Sequence, residues 1–211
     1  MWRSDIWQRF VYLWWLKGLL STAFIYAFFM LYFYLLRHPA YLVMTVPTTW
    51  VDEWVTFSPR WLWIYLSLWV YVCLPVALLR NFLEVRQFLI GMVALLTVGL
   101  VAFYIWPTRI GVSVAADGSS DAYTLLKKLD TSGNSCPSLH VATAVFAAIW
   151  LRDLCQRIGA PKWLNMFSLL WCAAIVYSTM AIKQHVLLDV LGGLILAVAC
   201  AWPWRLARLK P

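Results

Sequence analysis

The sequence predicts an all-α integral membrane protein, a bundle of six transmembrane helices with both termini on the cytoplasmic side. Three observations lead there. Of 211 residues, 64% are hydrophobic and 12% charged, whereas a soluble domain lies nearer half apolar and a quarter charged. The charges divide the chain into apolar runs about as long as a bilayer is thick. Lys and Arg are shared unevenly between alternate connections, which is how short-looped membrane proteins set their orientation.

The first span occupies 18–36, the 19 uncharged residues between Lys17 and Arg37. RHPAYL after it has no small-residue cleavage pattern, so it reads as a retained helix and not as a signal peptide. The segment ahead of it, MWRSDIWQRFVYLWW, mixes Arg with Trp and Phe. It reads either as an amphipathic helix in the interface or as an extension of the first span. The second span, 61–79, fills the 19 residues between Arg60 and Arg80. The third, 88–106, lies within the 22 residues between Arg86 and Arg109. The fourth, 137–151, closes the 21 uncharged residues between Asp130 and Arg152. The fifth, 163–182, is the 20-residue run from Lys162 to Lys183, and the sixth, 186–204, admits Asp189 near its start. All six are expected to be helical, because backbone in lipid must satisfy its own hydrogen bonds. Spans and short connections leave room for one domain, 1–211, without an internal repeat or low-complexity linker.

With the N-terminus in the cytoplasm, eleven Lys and Arg fall inside and six outside. The outer six are Arg37, Arg60, Arg109, Lys127, Lys128 and Lys183. The net charge of +8 is then a topology signal. No basic run exceeds two residues, so no nucleic-acid partner is expected. Most of the 15 Trp sit near span ends, as an interfacial belt requires. The five Cys show no paired spacing and no C-x-x-C pattern, so neither a structural disulfide nor a zinc site is read from them.

Three segments carry polar residues that the bilayer does not explain: YIWPTRIG, DTSGNSCPSLHVATA and KQHVLLD. The topology puts all three on the outer face. In the second, Pro137 stands where a helix can begin, with Ser135 or Cys136 near the cap. Ser138, Leu139 and His140 then offer first-turn N–H groups, the arrangement of an anion site. Ser138 adds a hydroxyl and His140 a titratable ring. In the third, His185 and Asp189 are four apart, hence on one face of a helix. Asp189 can fix the His185 tautomer and leave the other nitrogen as a nucleophile or base. An Asp within a span costs roughly 2.5–3.5 kcal/mol on insertion scales, which marks it as a functional candidate. Arg109 and Lys183 are ordinary interfacial residues taken singly; beside a helix N-terminus they make an anion clamp suited to phosphate. His140, His185 and Asp189 are also a possible zinc set, which two nearby cations disfavour. No metal or cofactor is therefore expected.

These residues resemble the type 2 phosphatidic acid phosphatase (PAP2) superfamily, six-span membrane phosphatases with the pattern K-x6-R-P, P-S-G-H and S-R-x5-H-x3-D. The second part reads Pro137-Ser138-Leu139-His140, and the third reads Ser178-Thr179, five residues, His185, three residues, Asp189. Ala102 stands at the Lys of the first part, Ile110 follows Arg109, Leu139 replaces Gly and Thr179 replaces Arg. WPTR, DTSGNSCPSLH, TMAIKQHVLLD and DEWVTFSPRWLWIYLS resemble a divergent branch that includes inositol-phosphorylceramide-synthase-like proteins. The resemblance implies a metal-independent lipid phosphatase with His185 as nucleophile, Asp189 orienting it and His140 as acid and base. Arg109, Lys183, Ser138 and the N–H groups at Leu139 and beyond would hold the phosphate. It implies equally a phospho-head-group transferase using the same histidine; a non-catalytic lipid binder is the third class. The expected partners are a membrane lipid phosphate and the bilayer. The expected location is the bacterial inner membrane with the site facing the periplasm. The 118–120 Gly-Ser-Ser stretch and a short helix over 123–129 are candidates to cover the site, or an ordinary surface loop.

Overall fold

A computed structural model describes residues 2–111 and 134–208, with side chains to Ala201. The interfacial lead-in forms a helix of its own, Trp2–Val11 (α1). Leu13, in the left-handed region at φ 48, separates it from the first apolar helix, Trp14–Arg37 (α2). A strand Met44–Val46 (β1) and a short helix Trp50–Trp54 (α3) follow. The second apolar run is helical from Pro59 to Ala77, as a 3-10 turn Pro59–Trp61 and the helices Leu62–Leu66 (α4) and Leu68–Ala77 (α5). Between α4 and α5 the Ser67 hydroxyl donates back to the Ile64 carbonyl at 2.6 Å, a local bond that competes with regular helix. Phe82–Ile105 (α6), capped by the Asn81 side chain, leads to strand Thr108–Ile110 (β2). Leu139–Arg157 (α7), Lys162–Ala181 (α8) and Leu187–Arg208 (α9) complete the described chain.

Four of these helical stretches are long and apolar enough to cross a membrane: Trp14–Arg37, Pro59–Ala77, Phe82–Ile105 and Lys162–Ala181. They mark an integral membrane protein. Two of the six expected spans do not meet that measure. The apolar part of α9, Leu187–Ala201, is shorter, and α7 ends in the polar run Arg152, Asp153, Gln156 and Arg157. Position explains α7. Its only exposed residues are Arg152, Gln156 and Arg157, and its other faces meet α5, α6, α8 and α9. A helix wrapped by helices has no lipid to satisfy. Association in lipid rests on close van der Waals packing, and the buried Ala142, Ala144, Ala147 and Ala148 of α7 allow that approach. The lipid-facing side chains belong to the outer helices, for example Leu19 and Met30 of α2, Val98 of α6, Leu170 of α8 and Ile195 of α9.

Among the described residues, one element departs from an all-α fold. β1 and β2 pair in parallel, with Thr45 opposite Arg109. The two connections cross at the same end of the bundle, and their backbone groups pair with each other there. Four of the six residues, Thr45, Val46, Thr108 and Ile110, are β-branched, which suits a strand.

A charge network closes the opposite end. Glu84, 6% exposed, accepts from Arg9 at 3.1 Å and from Arg157 at 2.8 Å. Asp5 pairs with Arg9 and Arg80, both at 2.9 Å. Lys17 donates to the carbonyls of Arg9 and Ala77. This network fastens α1 to the start of α6 and the end of α7. Removing one partner of a buried pair leaves an uncompensated charge, at a cost of about 3–5 kcal/mol. Glu84→Ala is therefore expected to lower unfolding stability in detergent by about 3 kcal/mol, more than Arg80→Ala, whose side chain is half exposed; thermal or denaturant unfolding of both variants measures the difference.

Candidate functional site

Three connections meet where α7 and α9 begin, and backbone bonds make the meeting specific. Thr108, buried after α6, accepts from the Ser135 N–H at 3.1 Å through its carbonyl and from the Cys136 N–H at 2.9 Å through its hydroxyl. The Ser138 N–H donates to the carbonyl of Asp189 at 3.0 Å. Gly192 and Gly193 permit that contact. A Cβ on Gly193 would lie 2.5 Å from the Ser138 carbonyl oxygen, and one on Gly192 would press on Pro137 and Cys136. Likewise Gly99 of α6 receives the Leu139 side chain, which a Cβ there would meet at 2.4 Å.

The turn that carries His185 is held from both sides. At the end of α8 the Gln184 N–H donates to Thr179 O and the Lys183 N–H to Met180 O, each at 3.0 Å. That is a Schellman turn, and Lys183 occupies its left-handed position at φ 56, the place glycine usually takes. The Lys183 ammonium donates to the carbonyls of Asp52, at 2.8 Å, and Val55. The Asp52 carboxylate, itself buried, accepts from the Leu187 N–H at 2.8 Å and from Thr49. The short helix α3 thus grips residues 183 and 187, with His185 between them.

At the centre is a chain of four polar side chains. His185 Nδ1 lies 3.4 Å from Asp189 Oδ2. His185 Nε2 lies 3.2 Å from His140 Nδ1, and His140 Nε2 lies 2.7 Å from the Tyr65 hydroxyl. Asp189 is fully buried and His185 is 6% exposed. The four-residue spacing predicts that His185 and Asp189 share a helical face, and they do not, because His185 precedes the helix. The helix starts at Leu187, and Asp189 in its first turn folds back to accept from the Val186 N–H at 3.1 Å. It acts as a first-turn carboxylate that reaches the helix cap, and the same oxygen faces His185. An ionised Asp189 only accepts, so His185 Nδ1 bears the proton and Nε2 the lone pair. His140 can then donate from Nδ1 and accept the Tyr65 proton at Nε2, giving the chain a single direction.

Beneath this chain is a cavity of about 310 Å³. Its walls are largely aromatic, including Phe28, Phe29 and Phe33 of α2, Trp69 and Phe103, and His140, His185 and Asn134 border it.

His140, His185 and Asp189 are thus brought together. The other expected site residues are placed differently. Ser138 is fully buried and is itself the helix cap: its hydroxyl accepts from Val141 N–H at 3.3 Å. The helix consequently begins at Leu139 and not at Pro137, and the cap is not Ser135 or Cys136. The Leu139 side chain packs on Gly99, with its N–H in the first turn. Arg109 is exposed on β2, its Nε 3.4 Å from the Thr45 hydroxyl, and Lys183 is turned to α3. Thr179, at the position where the family pattern has Arg, donates to Val176 O. The 118–120 stretch, the 123–129 helix, Lys127 and Lys128 lie outside the described residues. Tyr65, Asp52 and Asn134 stand within quoted segments of the sequence but are given no role there. The TTWVD capping pattern is a usable signal for Asp52; a Tyr in WLWIYLSLW and an Asn in a polar loop give none.

Residues 110–210 match the model of the PAP2 superfamily. The match covers P-S-L-H, the H-x3-D segment and all of α7 to α9. No curated protein and no solved structure matches the chain, and nothing in the comparisons supports the inositol-phosphorylceramide-synthase-like branch.

The Lys183 geometry separates two contributions. Lys183→Ala removes the bonds to α3 and keeps a side chain in the left-handed region, which costs roughly 1–2 kcal/mol. Lys183→Gly removes the bonds and the strain. The Gly variant is expected to be more stable than the Ala variant by about 1 kcal/mol, read as a higher melting temperature, with both below the parent protein.

Proposed function

We propose that the protein is a metal-independent phosphatase of a membrane lipid phosphate or pyrophosphate, working through a phosphohistidine on His185. The observation that carries this is the chain Asp189–His185–His140, with spacings of 3.4 and 3.2 Å, at one end of a helical bundle whose residues 110–210 match the PAP2 superfamily. Substrate takes the place of the contact between the two imidazoles. The His185 Nε2 lone pair forms a bond to phosphorus as the bond to the leaving oxygen breaks, and His140, an imidazolium once substrate is bound, gives that oxygen one of its two protons and becomes neutral. His140 next takes a proton from water, the oxygen attacks phosphorus, and the phosphorus–nitrogen bond breaks to release phosphate and neutral His185. Asp189 stays ionised throughout and stabilises the imidazolium character that His185 gains. Ser138, Leu139, Arg109 and Lys183 are the substrate side of the proposal. The buried N-terminus of α7 supports the first two, through a positive dipole end. Arg109 is exposed on β2 beside Thr45, whereas Lys183 supports the site by holding the His185 turn.

We place the site on the outer, periplasmic side of an inner membrane, with α7 and α9 as the fourth and sixth of six spans. The eleven-to-six distribution of Lys and Arg supports this orientation. A second reading, transfer of a phospho-head-group to a hydroxyl acceptor, is favoured by the dryness of the site: His185 is 6% exposed and the adjoining cavity is walled largely by aromatic rings. Such surroundings hinder water and admit an amphiphile.

His185→Ala is expected to abolish turnover of a panel of lipid phosphates in detergent. Retained turnover overturns the nucleophile assignment. Products separate the two readings, with free phosphate marking hydrolysis and a new phospholipid marking transfer. Tyr65→Phe removes the partner that holds His140, one hydrogen bond of about 1 kcal/mol. It is expected to lower kcat severalfold with little change in KM and to alter the pH–rate profile.

A further inference from the structure

We infer that the side-chain amide of Asn134 is a phosphoryl-oxygen donor in the His140–His185 site; the inference rests on the phosphoryl-transfer reading above. Asn134 is 5% exposed and borders the same cavity as His140 and His185. Its Nδ2 is buried and has no hydrogen-bond partner among the described residues. Native interiors leave few such donors unmade, and one on a residue that lines a cavity calls for an explanation. A bound oxyanion supplies it.

The position suits that role. Asn134 lies four residues ahead of the Ser138 cap, at φ 59. Asn tolerates this left-handed conformation better than most residues do. The amide is therefore set by its backbone beside the start of α7, where the helix dipole also favours an anion. The cations that the family pattern would supply are elsewhere. Ala102 and Thr179 carry no charge, Lys183 donates to α3 carbonyls, and Arg109 is exposed beside Thr45. A neutral amide donor near His185 offers a hydrogen bond to a phosphoryl oxygen and strengthens as negative charge builds on that oxygen in the transition state.

Vanadate, a tetrahedral oxyanion that expands to five-coordinate geometry, is the probe. Purified full-length protein in detergent is titrated with vanadate, and the shift in melting temperature gives an apparent midpoint for the parent and for His185→Ala, Asn134→Gly and Asn134→Asp. Gly keeps the left-handed backbone and removes the amide; Asp keeps the shape and replaces a donor with a negative charge. The expected result is stabilisation of the parent, none of His185→Ala, a midpoint raised about tenfold for Asn134→Gly, and no stabilisation of Asn134→Asp. Parent-like midpoints in both Asn134 variants overturn the inference alone and leave the His185 assignment standing. That holds also when their ligand-free melting temperatures fall, because Asn134 is then structural. A parent protein that vanadate does not stabilise overturns the phosphoryl-transfer reading and this inference together.

Discussion

Where α7 begins, the N–H of Ser138 donates to the carbonyl of Asp189. This bond joins two segments about fifty residues apart, and the chemistry at the bundle end is arranged around it. It requires the first turns of α7 and α9 to touch through backbone, which Gly193 permits above all, because any Cβ there would sit 2.5 Å from the Ser138 oxygen. Once the turns touch, His140 and His185 face each other. Asp189 then serves both as the acceptor that starts α9 and as the partner of His185 Nδ1.

A carboxylate buried in such surroundings demands compensation. One Asp189 oxygen receives the Val186 N–H and the His185 ring, while the other has no partner among the described residues. The positive end of α9 supplies part of the remainder. Around this centre, support comes largely from neutral groups and backbone. Lys183 and Asp52, the charged residues that hold the His185 turn from the α3 side, bond to backbone groups. On the proposed reading, a phosphoryl group here is held by oriented dipoles to a greater degree than the family pattern implies.

The two ends of the bundle use charge in opposite ways. At the α1 end, Glu84 is enclosed by Arg9 and Arg157, so opposite charges neutralise one another and hold α1 in place. At the other end, the described polar groups form a directed chain from Tyr65 to Asp189 with donors and acceptors in series. The first arrangement is suited to fastening, the second to moving a proton. α7 spans the distance between them, buried by its neighbours along most of its length.

Composition and charge spacing by themselves determined the membrane character, the helical runs and the identity of the His140, His185 and Asp189 constellation. Those features are local: apolar run length is set by the bilayer, and P-S-L-H and H-x3-D are read within a few residues. The tertiary structure decided what each group does with its neighbours. It made His185 part of a capped turn and not of a helical face. It made Ser138 the helix cap, turned Lys183 towards α3 and brought Tyr65, Asp52 and Asn134 to the site. Hydrogen-bond direction, close approach at a glycine and the sign of φ depend on atoms distant in sequence, and a spacing pattern does not contain them. The feature least legible beforehand, the parallel pair of β1 and β2, arises for the same reason: its backbone groups find partners only after the helices have brought the two connections together.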